Sequence, residues 1–178
     1  PEETVQATAI LFSRNPPLPA GPRRPSAIKP GFRGVGWGST LDERFRQDEG
    51  AQVVTHVPTF VRATDGLLVG DVPVTAIQYL AGDSGLAGVR ITTDRGYWNA
   101  MKDALDADWG LPAKCQAASS RCFWFSPGVP DPETVASLTE SGPTLELLIV
   151  NPTRYLATRG DRRALPAADG DGRDHLLH

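Results

Sequence analysis

Long apolar runs are missing from this 178-residue sequence. The longest, Leu145–Val150, is interrupted by Glu146, well short of the roughly 18 residues a helix needs to cross a bilayer. A transmembrane helix in this chain is therefore excluded. Clustered positive charge is scarce as well. Lys and Arg number 18 against 21 Asp and Glu, for a net charge of −3 and an isoelectric point near 5.6. Apart from Arg23-Arg24 and Arg159–Arg163 the basic residues are scattered, which argues against nucleic acid as the main partner. Histidine is limited to His56, His175 and His178, and no G-x-S-x-G elbow is present. A Ser–His–acid triad thus has one candidate base outside the C-terminal region, His56, with Asp65 or Asp71 as imaginable partners. A lone histidine in a strand is more often structural. No catalytic residue, metal or cofactor is expected: Asp103, Asp106 and Asp108 read as the solvated face of a helix. The DGDGRD stretch at 169–174 lacks the acidic ligands of a calcium loop.

Cysteine is nearly absent too. Cys115 and Cys122, in KCQAASSRCFWF, have neither C-x-x-C spacing nor neighbouring ligands for zinc. Around the turn-forming AASS they can face each other across a hairpin at disulfide distance. The pattern favours a structural disulfide over free thiols, and both over redox chemistry. So small a loop contributes somewhat under the ~3 kcal/mol of a 15-residue loop. The chain opens PEETVQA without an initiator Met, as a mature exported chain does after signal-peptide removal.

What the sequence has in abundance is proline and glycine punctuation. Residues 1–30 read as a Pro-rich extended arm with one apolar segment, Ala7, Ile10, Leu11 and Phe12, able to add to a sheet edge or dock in a groove. Residues 31–155 read as a single domain, and 156–178 as a flexible charged tail. Within the body, Thr40 and Glu43 fit a capping box for a short helix at Leu41–Gln47. Strands are expected at 52–58, continuing through 59–63, and at 67–69, 72–80, 86–92, 123–125 and 144–150, with 134–139 ambiguous. Tyr97, Met101, Ala104, Leu105 and Trp109 recur at helical spacing, and Gly110 and Pro112 close that helix. The expected fold is α+β, a mostly antiparallel sheet of about five to seven strands with one main helix at 97–109.

The stretch GFRGVGWGST, from Gly31 to Thr40, looks at first like a phosphate loop. It lacks the lysine of a Walker loop, and no βαβ unit follows as a dinucleotide loop requires. Its residues read instead as a strand, a glycine-permitted turn, a Trp37 plug and a Ser39 or Thr40 helix cap. The phrase Phe32-Arg33-Gly34-Val35-Gly36-Trp37-Gly38-Ser39 resembles the opening of a group of uncharacterised bacterial envelope proteins with an FRG-x-x-(W/F)G-(S/T) motif. So do Asp65, Gly70–Val74, Ile77 and Tyr79, then Gly85–Ile91, the helix-closing Gly110 and Pro112, and a strand centred on Trp124. The resemblance implies a small α+β domain exported to the periplasm or held as a lipoprotein, and brings no reaction with it. The Pro-rich arm, the cysteine pair and the charged tail depart from that pattern.

The expectation is therefore a non-enzymatic periplasmic or secreted domain, free or lipid-anchored, that binds another envelope or extracellular protein. Candidate contacts are Ala7, Ile10, Leu11 and Phe12 and, on the cysteine hairpin, Phe123 and Trp124. A small-molecule or lipid module with an apolar sheet–helix cleft is the alternative, and a hydrolase built on His56 a third.

Overall fold

Alternating and β-branched segments build one large sheet. The computed structural model describes residues 28–51, 56–116, 120–127 and 132–160. Its strands are β1 Phe45–Gln47, β2 Thr59–Arg62, β3 Leu68–Val69, β4 Val72–Pro73, β5 Ala76–Gly82, β6 Gly85–Asp94, β7 Lys114–Gln116, β8 Arg121–Phe125, β9 Val135–Ser141 and β10 Thr144–Val150. Eight of them form an antiparallel sheet in the order β1-β2-β5-β6-β10-β9-β8-β7, while β3 and β4 make a separate ribbon. Helices α1 Trp98–Trp109 and α2 Pro152–Gly160 accompany them. The α+β class holds, with more strands than expected, because the ambiguous 134–139 segment is strand β9, the 72–80 run is divided, and β1 and β7 are added.

Register explains the core. One cross-strand row runs Phe60, Tyr79, Val89, Ile149, Ala136, Trp124. The next runs Ile77, Ile91, Leu147, Leu138, Cys122, Cys115. Alternation along each strand puts both rows on one face, where Met101 and Leu105 of α1 join the same buried cluster. On the opposite face Leu80, Val135 and Val150 form a second cluster with Val57 and Tyr155.

Three sequence expectations are corrected. Residues 41–47 are not helical. The Asp42 carboxylate accepts the Arg44 amide hydrogen at 3.0 Å and pairs with the Arg44 guanidinium, closing a local turn in place of the capping box. Phe45 then enters β1 and sets its ring edge-on to Tyr79, centroids 4.9 Å apart. Consequently Ser39 and Thr40 cap no helix. Instead the Gly38 amide donates to the Leu86 carbonyl and the Leu86 amide to the Ser39 carbonyl, so the motif pairs briefly with β6. Second, the 72–80 run does not alternate throughout. Its phase slips at Thr75, whose amide and hydroxyl both bond the Thr92 carbonyl, so Val72, Val74, Ile77 and Tyr79 all reach one core. Third, residues 156–160, assigned to the tail, belong to α2, which Asn151 caps by accepting the Arg154 amide hydrogen at 3.0 Å. The arm's boundary shifts likewise, since Ile28 is buried in the main cluster. Of the expected 52–58 strand, 52–55 lie outside the described residues and 56–58 are not strand.

The turns meet the motif closely. Arg33 and Gly34, at φ 47° and 81°, occupy a two-residue turn closed by reciprocal Phe32–Val35 backbone bonds, the geometry of a type I′ hairpin. Gly85, at φ 84°, faces the Gly38 carbonyl, which a Cβ would approach to 2.3 Å. At Gly34 nothing lies within 4 Å of a built Cβ. Gly34→Ala should therefore cost only left-handed strain, about 1–2 kcal/mol, whereas Gly85→Ala should cost clearly more because strain and clash add. Urea melts of both variants check the order.

Candidate functional site

Two places gather side chains with chemistry. The first is a buried carboxylate. Asp65 opens the Asp65-Gly66 turn, and its side chain is only 5% exposed. It accepts from Arg62 Nε at 2.8 Å and Tyr79 Oη at 2.6 Å, and Arg33 lies at 3.6 Å. Arg33 also donates to the carbonyls of Gly66 and Leu68. The Arg62 guanidinium stacks over the rings of Phe45 and Tyr79, 5.5 Å from each, and Phe32 meets Tyr79 edge-on. Burial, with the Asp65 hydrogen bond next, pushes the Tyr79 phenol well above its ordinary value. By meeting donors from β2, β5 and the Phe32–Val35 hairpin, the Asp65 carboxylate ties these chain segments together. Sequence reasoning treated Phe32, Arg33, Asp65 and Tyr79 as separate motif letters and overlooked Arg62. Their common dependence on one carboxylate was the missing link.

The second place is the end of the sheet at β7. Cys115 and Cys122 are joined as a disulfide with Cα atoms 4.1 Å apart. That separation belongs to a non-hydrogen-bonded antiparallel pair. The amide and carbonyl of Cys115 therefore point away from β8, across the outer edge of the sheet. Cys115 is exposed while Cys122 is 2% exposed. Beside them opens a pocket of about 290 Å³ lined by Trp98, Lys102, Ser120, Arg121 and both cysteines. Helical spacing puts Trp98 and Lys102 on one face of α1; sequence reasoning left Lys102 on the helix surface and did not join it to Trp98. Lys102 also pairs with Asp106, whose Oδ1 is buried without a hydrogen-bond partner, and Arg121 donates to Thr139.

Of the sequence-proposed contact residues, Ala7, Ile10, Leu11 and Phe12 lie outside the described residues. Phe123 and Trp124 are corrected: they are 4% and 0% exposed, and Trp124 bonds the Gly110 carbonyl and packs on Trp109. Their place in the sheet makes them core rather than surface. The rest of the motif is structural. Trp37 donates to Thr134 at 2.8 Å, and the Arg154 guanidinium covers Gly38. His56 is exposed just before β2. Met101 and Leu105 of α1 pack into the core beneath the helix, and the pocket opens between α1 and the β7–β8 end of the sheet. Among the described residues no group of three or more His, Cys, Asp or Glu is placed to hold a metal, and no helix is long and apolar enough to cross a membrane. No family model, curated protein or solved structure matches the chain significantly.

Two variants test the carboxylate cluster. Asp65→Ala strands Arg62 and the Tyr79 hydroxyl and should cost about 3–5 kcal/mol, as breaking a buried pair does. Tyr79→Phe should cost about 1.5–3 kcal/mol, the worth of a hydrogen bond to a charged group. Because the folded phenol titrates above the unfolded one, its contribution is complete below about pH 10 and is lost as pH climbs beyond. Urea melts at neutral and strongly alkaline pH should show a shallower alkaline decline for Tyr79→Phe than for the parent.

Proposed function

We propose that this chain is a non-enzymatic domain, exported to the periplasm or the cell exterior, that binds another envelope or extracellular protein as an accessory part of an assembly. The observation that carries the reading is the β7 edge. An outward-facing backbone donor and acceptor at Cys115 lie beside a pocket lined by Trp98, Lys102 and Arg121. Those are the two requirements of strand addition: main-chain bonds for affinity and a pocket for side-chain specificity. The edge is short and carries Lys114, features that discourage indiscriminate edge pairing and leave selection to the pocket. A disulfide suits an oxidising compartment, which supports export. The resemblance of the Phe32–Ser39 motif to bacterial envelope proteins points the same way.

The arm at 1–27 supplies a second candidate contact. Because Ile28 is part of the core, a truncation that tests the arm should end at residue 27. Cross-linked co-purification from an envelope extract would compare the parent, the 1–27 deletion and Trp98→Ala, each first shown to be folded by circular dichroism. Trp98→Ala is expected to lose specific partners the parent retains. An unchanged partner set in both variants contradicts the reading.

A further inference from the structure

The disulfide has two unlike ends. Cys115 is exposed on the last strand of the sheet, while Cys122 lies in the core row between Leu138 and Cys115. Both line the same open pocket, with Lys102 and Arg121 among its walls. On the sheet side β7 is held by three residue pairs with β8 and by the Ala113 amide bonding the Phe123 carbonyl. So short a ladder depends heavily on its cross-link.

We infer that Cys115–Cys122 is a thiol-exchange site, attacked at Cys115 by a dithiol oxidoreductase or a small thiol, and that its reduction releases β7 from the sheet. The consequence for partner binding rests on the proposed β7 edge; the exchange chemistry does not. The attacking thiolate forms a bond to Cys115 Sγ as the Sγ–Sγ bond breaks. The electron pair leaves on Cys122, which becomes a thiolate facing the pocket's two cations and then takes up a proton. The second thiol of the dithiol, on losing its proton, attacks its partner sulfur in the mixed disulfide. That frees Cys115 as a thiol and converts the dithiol to a disulfide, so two electrons pass to the protein. Attack at Cys122 is disfavoured because that residue is buried whereas Cys115 is exposed. Reduction removes the staple while the Ile77–Ile91–Leu147–Leu138 row stays packed, so the effect is local.

The test uses the intact chain without denaturant. It is exposed to reduced glutathione in the presence of iodoacetamide and then digested with trypsin. Cleavage after Lys114 and Arg121 places the two cysteines in separate fragments. The expected result is glutathione on the Cys115 fragment and alkylation on the Cys122 fragment, in at least about tenfold excess over the reverse. The rate should be insensitive to sub-denaturing urea. After full reduction with dithiothreitol, amide exchange should rise at Ala113, Lys114 and Gln116, whose amides face β8, and remain unchanged in β10 and α1. Equal labelling, preferential adducts on Cys122, reduction only under unfolding conditions, or unchanged exchange at those three amides overturns the inference. None of these readouts needs a partner, so their failure is distinguishable from failure of the binding reading.

Discussion

The fold depends on one carboxylate at the end of the sheet opposite the disulfide. Asp65 carries its negative charge almost out of water, which is affordable only when the charge is met by several donors. Arg62, Arg33 and Tyr79 provide them. Each belongs to a different part of the chain: strand β2, the Phe32–Val35 hairpin and strand β5. A single buried charge thus fixes the hairpin against the sheet, orients Arg62 between two aromatic rings and brings Phe45 into β1. The segment expected to be a helix is a strand for this reason: Phe45 has a partner in Tyr79 that a helical turn would take it away from.

From that end the sheet's rows run unbroken to the other. Phe60 and Tyr79 begin a row that ends at Trp124, and Ile77 begins one that ends at the disulfide. The two ends are built differently. The Asp65 end is closed by polar groups that satisfy one another. The β7 end is closed by a covalent staple beside a pocket.

Much of the architecture was legible in the residues. The strand at 86–92, the α1 helix with its Gly110 stop, the Thr144–Val150 strand and the pairing of Cys115 with Cys122 follow from local turn chemistry and periodicity. Errors arose where a local rule met a tertiary contact. Thr40 and Glu43 satisfy a capping pattern, yet Asp42–Arg44 pairing and the Tyr79 contact outweigh it. Phe123 and Trp124 are aromatic and adjacent to a hairpin, yet register carries both into the interior. Helix α2 had a signal in Asn151-Pro152, a cap followed by a favoured first-turn residue, hidden by the charged tail behind it. The pocket was not legible at all. It needs Trp98 and Lys102 from one element and Ser120 and Arg121 from another, and only the folded sheet brings them together.

The central claim is that Cys115 directs its backbone away from β8, and the amide hydrogen of Cys115 reports on it directly. In the isolated oxidised domain, hydrogen exchange followed by nuclear magnetic resonance should find the Cys115 amide exchanging close to the unprotected rate, while the amides of β10 remain strongly protected. Protection of the Cys115 amide comparable to that of β10 would show that the edge is already occupied, and would contradict the account.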